Sequence, residues 1–392
     1  MPKLLQLNVS ANRGSTGKIA EGIGRMAIKH GWESMYVYGR HASASDSVLH
    51  KIGSRPYVYL HYAKNRLLDG EGLGSKRPTL QLLKIIADYQ PDIVHLHNIH
   101  DHWLNYPVLF KYLNATNIKT VWTFHDCWAF TGGCYHFEND NCFKWKSDNC
   151  NGHCIQQHFR SAKNFELKEH LFSSLGQNLH IVCVSDWIEK YVSQSFLGRS
   201  AGIHTIKNGI DINNVFRPTE TIKKKMVIGV ANVWPKYKGL NDFLELRKSL
   251  PDDIEITLVG LEKKQIKALP EGITGIYRTS DAEELAHLYR QAAVFVNPTY
   301  NDTFPTVNLE ALACGTPVVT YRTGGSPEAI NDDTGIVVER GDINALANSI
   351  MQILQNPSQY TSEACRKRAE ENFNRDVQFS KYIDLYKSIL SK

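Results

Sequence analysis

One stretch in the second half of the chain combines groups that together suit a phosphorylated ligand. It runs from Asn301 to Pro317 and reads NDTFPTVNLEALACGTP. We expect a strand to lead into it and a helix to begin within it, so that backbone N–H groups at the helix start would favour a diphosphate. Glu310, in the first turns of that helix, could accept hydrogen bonds from the paired hydroxyls of a ribose. The alternative role for Glu310 is a salt bridge at the surface.

A second candidate for phosphate binding is the glycine-containing loop after the first predicted strand. It reads NRGSTGK from Asn12 to Lys18. Gly14 and Gly17 would let the backbone approach a ligand. The spacing departs from a P-loop, because the glycines are too close together and Lys18 is followed by Ile19. The glycine pattern of dinucleotide-binding folds is also missing, so the loop is either phosphate-facing or a tight turn.

Histidines are concentrated in the first half, with 14 of the 16 before residue 200. His125 directly follows a predicted strand, where it could reach a ligand, or it could be a satisfied core residue. His95 and His97 alternate along another strand and share one of its faces. Together with His100 and His102 they either bind a metal or line a cleft with polar groups.

Five of the eight cysteines follow His125 closely, in an insert spanning residues 127–154. Four of them could hold a structural zinc, although their spacing is not that of a standard zinc finger. Free thiols and a disulfide are the alternatives, and a reducing compartment favours thiols. The four candidate zinc ligands are Cys134, Cys142, Cys150 and Cys154.

The elements that must position these groups alternate between short apolar runs and amphipathic stretches, which is typical of βαβ units in a parallel sheet. Strands are predicted at Lys3–Val9, Glu33–Tyr38, Asp92–His97, Lys119–Phe124, His180–Val184, Ile203–Ile206, Met226–Ala231, Glu255–Val259, Gly275–Tyr277, Val294–Asn297, Pro317–Tyr321 and Gly335–Val338. Helices are predicted at Gly17–His30, Leu240–Ser249, Asp281–Arg290, Val307–Cys314, Ile343–Gln355, Ser358–Asn372 and Asp376–Leu390.

The fold class is therefore α/β, with two doubly wound Rossmann-like domains. A turn signal at Asn208-Gly209, followed by Arg217-Pro218, marks the break between them. We predict a first domain over residues 1–207, containing the insert, and a second over 208–375. The last helix, within 376–392, is expected to pack back on the first domain. Sheets of this kind bind ligands beyond the carboxyl ends of their strands, so we expect a shared cleft.

Composition and charge exclude several classes. The chain has 392 residues, 42% hydrophobic and 22% charged, as in ordinary globular proteins. No apolar run reaches membrane-spanning length, and the N-terminal apolar stretch is too short for a signal peptide. We therefore expect a cytoplasmic protein. The net charge is +5, with +6 in the first 200 residues and −1 in the remainder. The basic first half suits an anionic substrate or the inner membrane surface, or is simply a solvated face. The sequence contains no dense basic stripe of the kind that binds nucleic acid, so we expect no nucleic-acid partner.

An ordered set of motifs runs along the whole chain. In chain order they are Gly14–Gly17, His125-Asp126, Asn208-Gly209-Ile210-Asp211, Phe216 with Pro218, Lys238-Gly239, Asp302 with Glu310, Gly324-Gly325-Ser326-Pro327-Glu328, Gly335-Ile336-Val337 and Asp342. With this set the chain resembles the retaining glycosyltransferases of family 4, of the "glycosyl transferases group 1" type. The resemblance implies the GT-B fold, with an acceptor-side first domain, a second domain that binds a nucleotide sugar, and a central cleft that both domains face.

The resemblance also implies residue roles. Family members carry two glutamates separated by seven residues; Glu310 matches the second, and Asp302 replaces the first. The shorter Asp302 would contact the donor sugar, which leaves the identity of that sugar open. Lys238 matches the lysine that binds the donor phosphate. The arginine usual six residues before it is replaced by Asn232, and Lys236 or Arg13 could compensate. His125 is expected at the reacting centre, and the cysteine-rich insert beside it would shape the acceptor pocket.

The resemblance also implies that the backbone at the start of the helix after Asp302 lies near the donor. The residues concerned are Phe304, Pro305, Thr306 and Val307. Pro305 has no N–H, so Thr306 and Val307 are the better hydrogen-bond donors. Negative charge that grows on the leaving β-phosphate would be stabilised by Lys238 and these amides. Family membership implies front-face attack with retention, the phosphate taking the acceptor's proton, and no catalytic metal.

The predicted activity is transfer of a hexosyl or related group from a UDP or GDP sugar to a glycan or lipid-linked acceptor, in polysaccharide biosynthesis. A non-hydrolysing nucleotide-sugar epimerase, which shares the fold, is one alternative. The other is a sugar-nucleotide-binding protein with weak catalysis, which the substitutions at Asp302 and Asn232 suggest.

Overall fold

The computed structural model describes residues 1–140, 142–146, 160–200 and 202–391. The backbone forms two compact units, one of Met1–Lys207 with Asp376–Lys392 and the other of Asn208–Arg375. These bounds coincide with those at which the sequence analysis divides the chain. Each unit contains one parallel β-sheet with helices between its strands.

The sheet of unit 1 has seven strands in the order β3-β2-β1-β4-β5-β6-β7, all parallel. Apolar side chains fill both faces of its central strands, as expected where helices cover a parallel sheet on two sides. The strands are β1 Lys3–Asn8, β2 Glu33–Tyr38, β3 Val48–Lys51, β4 Ile93–Leu96, β5 Lys119–Phe124, β6 Leu179–Cys183 and β7 Gly202–Thr205.

The helices of unit 1 connect these strands, and the last one comes from the end of the chain. They are α1 Gly14–Lys29, α2 Arg55–Leu68, α3 Lys76–Tyr89, α4 Tyr106–Thr116, α5 Ser161–Ser173, α6 Asp186–Gln194 and, after the second unit, α13 Arg375–Leu390. Short 3₁₀ turns occupy the insert at Trp128–Phe130, Phe137–Asp140 and Lys144–Lys146.

Unit 2 has six parallel strands in the order β10-β9-β8-β11-β12-β13. They are β8 Lys224–Val230, β9 Glu255–Val259, β10 Ile273–Ile276, β11 Ala292–Asn297, β12 Val318–Tyr321 and β13 Gly335–Val338. Its helices are α7 Leu240–Ser249, α8 Lys263–Ile266, α9 Ala282–Gln291, α10 Thr306–Ala313, α11 Ile343–Gln355 and α12 Ser362–Phe373.

Both strand orders reverse direction once. In unit 1 the reversal falls between β1 and β4, and in unit 2 between β8 and β11. Loops that leave adjacent strands on opposite sides of such a point diverge, which opens a crevice at the carboxyl ends of the strands. The loops at these two positions begin after Asn8 and Leu96 in unit 1, and after Val230 and Asn297 in unit 2. The loops of unit 2 contain Asn232, Lys238, Asp302, Phe304 and Pro305, and the other predicted donor-binding residues lie in the helices that follow the loops after Asn8 and Asn297.

The C-terminal helix α13 packs on unit 1, as the sequence analysis expects. Its side chains Phe379, Tyr382 and Tyr386 are buried in one cluster with Leu4 of β1 and Val121 of β5. Gly22 of α1 allows this contact, because an added Cβ there would lie 2.2 Å from the ring of Phe379. The chain therefore returns to its first unit after completing the second.

Most predicted strands agree with the structure to within one or two residues. The elements of the structure that the prediction does not contain are the edge strand β3 and the helices α2, α3, α4, α5, α6 and α8. Helix α1 begins at Gly14, three residues before its predicted start, and Gly14 itself has a left-handed φ of +68°. In the described part of the chain no helix is both long and apolar enough to cross a bilayer.

Candidate active site

The loop after β8 carries Lys238 to the edge of the second sheet. A 3₁₀ turn at Lys236–Lys238 ends at Gly239, whose φ is +76°. A Cβ on this residue would lie 2.3 Å from the carbonyl oxygen of Pro298, so only glycine allows the two loops to approach this closely. The Lys238-Gly239 motif therefore brings the lysine beside the end of β11.

The loop after β11 is fixed against the same turn. The Tyr300 N–H donates to the carbonyl of Tyr237 at 2.7 Å. On its other side the loop after β11 packs against Gly324, where an added Cβ would lie 1.7 Å from the carbonyl oxygen of Asp302. The Gly325 N–H also donates to the carbonyl of Thr303 at 3.1 Å. The Gly-Gly motif thus supports the backbone that presents Asp302.

These two loops bring the predicted catalytic lysine and the substituted carboxylate into contact. The Lys238 Nζ lies 2.7 Å from Asp302 Oδ2, and both side chains are about a quarter exposed. A paired but accessible ammonium can still attract a phosphate, and a carboxylate that it orients can still accept a hydrogen bond from a sugar hydroxyl. The sequence analysis named both residues but did not predict their ion pair.

Helix α10 begins directly after this loop. Pro305 is its N-cap, and no side chain caps the helix start. The first amides of a helix have no intrahelical acceptor, so the N–H groups of Thr306 and Val307 remain available to an anion. The Phe304 side chain packs inside unit 2, where its buried ring lies 5.9 Å from the ring of Phe373.

Glu310 lies one turn further along α10. Its Oε2 accepts a hydrogen bond from the Tyr289 hydroxyl of α9 at 3.2 Å. Burial, with the Glu310 carboxylate beside it, raises the pKa of Tyr289 well above its usual value, so the hydroxyl remains a donor. Glu310 is partly exposed, which leaves it able to bind a ligand hydroxyl.

A buried polar network that sequence reasoning missed holds the start of α10 in place. The Asn308 side chain accepts from Asn297 Nδ2 at 2.8 Å and donates to Ser326 Oγ at 3.0 Å. Ser326 in turn lies 2.7 Å from Thr320 Oγ1. These bonds join the ends of β11 and β12 to the first turn of the helix. An asparagine among the apolar residues Val307, Leu309 and Ala311 of this helix is the available signal.

Asn232 stands where the family has an arginine, and Lys236 or Arg13 could compensate for the lost charge. Asn232 and Lys236 are both exposed. Arg13 belongs to unit 1, where it is the exposed N-cap of α1. The predicted roles of all three remain predictions.

The glycine loop of unit 1 adopts a tight turn at the start of α1. Gly14 has positive φ and open space beside it, whereas a Cβ on Gly17 would lie 2.9 Å from the carbonyl oxygen of Ser10. No side chain caps the start of α1. The geometry agrees with both alternatives given by the sequence, since the turn is tight and its amides remain available.

His125 follows β5 and, itself partly exposed, ends a chain of buried neutral groups. The Gln6 amide donates to the Ala20 carbonyl at 2.9 Å, so its Oε1 faces His97 Nε2 at 3.1 Å and accepts from it. His97 Nδ1 must then accept from His125 Nε2, at 3.2 Å. Burial lowers the pKa of His125 to about 4. His125 is therefore neutral, with its Nδ1 left as an acceptor.

The neighbouring histidine has separate partners. His95 Nδ1 lies 2.7 Å from the Tyr386 hydroxyl of α13, and its Nε2 lies 2.8 Å from Thr123 Oγ1. Burial lowers the pKa of His95 to about 3 and that of His97 further below the usual range. Both residues are polar groups satisfied inside unit 1. Their ring nitrogens are engaged, so these two do not form the alternative metal site with His100 and His102.

Part of the cysteine-rich insert can be described. Cys127 and Cys142 are buried free thiols, and burial raises the pKa of Cys127 well above its usual value. Cys134 is also buried. Cys150 and Cys154 lie outside the described residues, so the zinc hypothesis for this insert stays a prediction.

Comparison with known proteins agrees with this geometry. A model of "Glycosyltransferase Family 4" matches residues 21–214, and a model of "Glycosyl transferases group 1" matches residues 211–372. A putative colanic acid biosynthesis glycosyl transferase, WcaC of Escherichia coli, is 23% identical over 98% of this chain and 100% of its own length.

Solved structures show the same architecture. Sucrose-phosphate synthase from Thermosynechococcus elongatus matches with a TM-score of 0.75 and 18% identity, covering 100% of both chains. Anabaena Alr3699/HepE, solved in complex with UDP, matches with a TM-score of 0.70 and 14% identity, covering 99% of this chain and 100% of the other. Two doubly wound parallel sheets with these likenesses define the GT-B fold. The chain belongs to the group 1 glycosyltransferases of family 4.

Proposed function

We propose that this glycosyltransferase moves a hexosyl or related glycosyl group from a nucleoside-diphosphate sugar of the UDP or GDP type, with retention of configuration. The proposed acceptor is a glycan or a lipid-linked saccharide in polysaccharide biosynthesis. The observation that carries the proposal is the Lys238–Asp302 pair, which lies at the strand-order reversal of unit 2 directly before the start of α10. Names of relatives support it: WcaC and the capsular polysaccharide glycosyltransferase CapM of Staphylococcus aureus.

Each group in the site would have one task. As the bond between sugar and β-phosphate breaks, negative charge grows on the phosphate. The Lys238 ammonium and the amides of Thr306 and Val307 would stabilise that charge more than they stabilise the substrate. Glu310, oriented by Tyr289, would bind the ribose hydroxyls. These fixed positive groups supply the stabilisation that a metal would otherwise provide, so the proposed reaction needs no catalytic metal.

Asp302 would accept hydrogen bonds from hydroxyls of the transferred sugar. The Nδ1 lone pair of neutral His125 would accept another, from the sugar or the acceptor. In front-face attack the acceptor oxygen bonds to the anomeric carbon on the side from which the phosphate leaves. The acceptor's proton passes to that phosphate, so no dedicated base is required.

Donor binding and turnover test this proposal. The full chain is titrated by calorimetry with UDP, GDP and their sugars, and nucleoside diphosphate release is then measured with a lipid-linked acceptor pool. We expect one nucleotide family to bind and turnover to need both substrates. NMR of the product should show the anomeric configuration of the donor. An isomerised nucleotide sugar formed from donor alone would favour the epimerase, and nucleotide binding without turnover would favour the weak binding protein.

We also propose that unit 1 docks on an anionic membrane surface through α2. Pro56, Tyr59, Leu60, Ala63 and Leu67 lie on one helical face at spacings of three and four residues. Leu60 and Leu67 are 68% and 75% exposed. The helix sequence RPYVYLHYAKNRLL contains three basic residues and no acidic one. An apolar stripe flanked by basic groups suits the surface of anionic lipid.

Vesicle flotation tests this surface. The wild-type chain should bind vesicles that contain anionic phosphatidylglycerol at low salt, and bind neutral phosphatidylcholine vesicles much less. Leu60→Ser combined with Leu67→Ser should lose binding. Ile222→Ser, at a residue of unit 2 that is 91% exposed, is the matched control and should not. Equal recovery of all variants with anionic vesicles would rule out α2 as the docking element.

A further inference from the structure

A cluster of potential metal ligands lies in unit 1, apart from the groups assigned to transfer. It consists of Glu71, in the loop between α2 and α3, with His100 and Asp101 in the segment after β4. One ligand atom from each of the three lies within 4.8 Å of the other two. Glu71 and His100 are only 8% and 7% exposed, whereas the Asp101 side chain is 42% exposed, so two of the three ligands are buried and the third faces solvent.

His100 presents an unsatisfied nitrogen to this cluster. Its Nε2 lies 2.8 Å from Asp126 Oδ2, and a carboxylate can only accept, so Nε2 carries the proton. Among the described residues the buried Nδ1 has no hydrogen-bond partner. That atom lies 4.0 Å from Asp101 Oδ2. A carboxylate that holds one imidazole nitrogen while the other is left free is the usual arrangement around a histidine that binds metal.

The carboxylates are also oriented by their neighbours. Glu71 Oε1 accepts from the Tyr135 hydroxyl of the insert and from the Asp101 N–H at 3.3 Å. Asp126 Oδ1 accepts from the Trp128 N–H at 2.9 Å. Supporting bonds of this kind fix ligand positions before a metal arrives.

Arg40, a basic side chain beside the cluster, does not neutralise it. Arg40 Nη2 donates to the backbone carbonyl of Asp101 at 2.7 Å and lies 3.4 Å from His102 Nδ1. It makes no described hydrogen bond to the carboxylates of Glu71, Asp101 or Asp126. Three carboxylates against one imidazole leave an excess of negative charge even when that imidazole is protonated, and a bound cation would offset it.

We propose that Glu71, His100 and Asp101 bind a divalent transition-metal cation of the Mn²⁺ type. Carboxylates suit Mn²⁺ and imidazole suits first-row transition metals, so one imidazole nitrogen with two carboxylates forms a mixed set that fits such an ion. Three protein ligands leave further positions for water or for an oxygen of a ligand. The ion would join the loop after α2 to the segment after β4. The proposal does not depend on the transfer mechanism, in which no metal takes part.

Mn²⁺ titration of the full chain, after treatment with a chelator, tests the site. Free Mn²⁺ is followed by its electron paramagnetic resonance signal, and thermal unfolding is followed in parallel. The wild-type chain should bind one Mn²⁺ and unfold at a higher temperature with it. Mn²⁺ is the probe because thiolates prefer softer ions, so the insert cysteines should not imitate this result.

Isosteric variants make the test specific. Glu71→Gln and Asp101→Asn preserve size, so they should fold but bind Mn²⁺ more weakly, and His100→Asn should lose binding. Asp126→Asn, a change in a positioning residue, should weaken affinity by about 10–100-fold. Asp332→Asn, at an exposed carboxylate of unit 2, is the control and should match the wild type. No Mn²⁺ binding by the wild-type chain, or equal affinity in every variant, overturns the proposal.

Discussion

The Lys238 ammonium lies 2.7 Å from the Asp302 carboxylate, where the strand order of the second sheet reverses. Gly239 on one side and Gly324 on the other allow the two loops to meet. Because each side chain is about a quarter exposed, the pair should add at most about 1 kcal/mol to stability. Changes to either residue should therefore affect the reaction far more than the fold.

Lys238→Ala should lower kcat by about 10²–10³, the usual effect of removing one group that stabilises developing negative charge. The melting temperature should change little, since the ion pair is accessible to solvent. Steady-state kinetics with donor and acceptor measure the effect. Lys248→Ala, which removes an exposed lysine on α7 paired with Glu245, is the control and should leave kcat unchanged. An unaltered kcat in Lys238→Ala would remove the lysine from the proposed mechanism.

Asp302→Asn should separate recognition of the sugar from recognition of the nucleotide. Losing hydrogen bonds to a charged acceptor should reduce kcat/KM for the sugar donor by about 10–100-fold. Affinity for the nucleoside diphosphate alone should hold or rise, because Lys238 loses its competing partner. Calorimetry and kinetics on the same preparation measure both. Asp333→Asn, at an exposed carboxylate, should change neither value; parallel loss of both affinities would instead indicate that Asp302 only supports the loop.

Glu310→Gln should weaken nucleotide binding, because a neutral amide is a poorer acceptor for paired ribose hydroxyls than a carboxylate. The expected loss is about tenfold or more, the range for hydrogen bonds to charged groups. Tyr289→Phe should have a smaller effect in the same direction, since the tyrosine only orients Glu310. Calorimetry with the preferred nucleoside diphosphate measures both. Glu271→Gln is the exposed control, and wild-type affinity in Glu310→Gln would exclude the ribose role.

Much of the fold follows from local pattern. Buried parallel strands are continuous apolar runs, so β2, β5, β9 and β13 have the bounds that the sequence predicts. The edge strand β3, Val48–Lys51, is missing from the prediction because it has one neighbouring strand and half of its residues are exposed, so it is not a continuous apolar run. Helix α2 is missing from the prediction for a related reason. Its buried side chain is His61, so it lacks the core-facing apolar stripe by which most helices are recognised.

The site was predicted less evenly. Lys238, Asp302 and Glu310 were identified through motifs of a known family. The contacts that orient them come from residues far apart in the chain, such as Tyr289 beside Glu310, and no local pattern reports these. Glu71 could not be found from sequence, because it lies in a loop without a motif and meets His100 only in the folded unit.

Two glycines with similar backbone angles should respond differently to alanine. Gly239 and Gly14 have φ of +76° and +68°. An added methyl at Gly239 meets the Pro298 carbonyl at 2.3 Å, whereas at Gly14 it meets open space. Gly14→Ala should cost only backbone strain, about 1 kcal/mol, and Gly239→Ala should cost more because the loops must separate. Denaturant unfolding compares them, and Gly239→Ala should also lose turnover. Equal small losses would contradict the close contact.

The buried histidines of unit 1 should make its stability depend on pH. In the folded chain burial lowers the pKa of His95 to about 3 and that of His125 to about 4, whereas unfolded histidine titrates near 6.5. The unfolded state therefore binds more protons below pH 6.5. Unfolding free energy should be at its full value above that pH and should fall as the pH decreases toward the folded pKa values.

Each such histidine should contribute a slope of up to about 1.4 kcal/mol per pH unit below pH 6. Denaturant unfolding at pH 7.5, 6.0 and 5.0, followed by tryptophan fluorescence, measures it, since six of the seven tryptophans lie in unit 1. His95→Gln cannot bind a proton in either state, so its stability, although lower overall, should depend less steeply on pH. Because carboxylates are common to both chains, the difference between their slopes isolates His95. Identical slopes would mean that His95 also takes up a proton in the folded unit, contrary to the lowering of its pKa by burial.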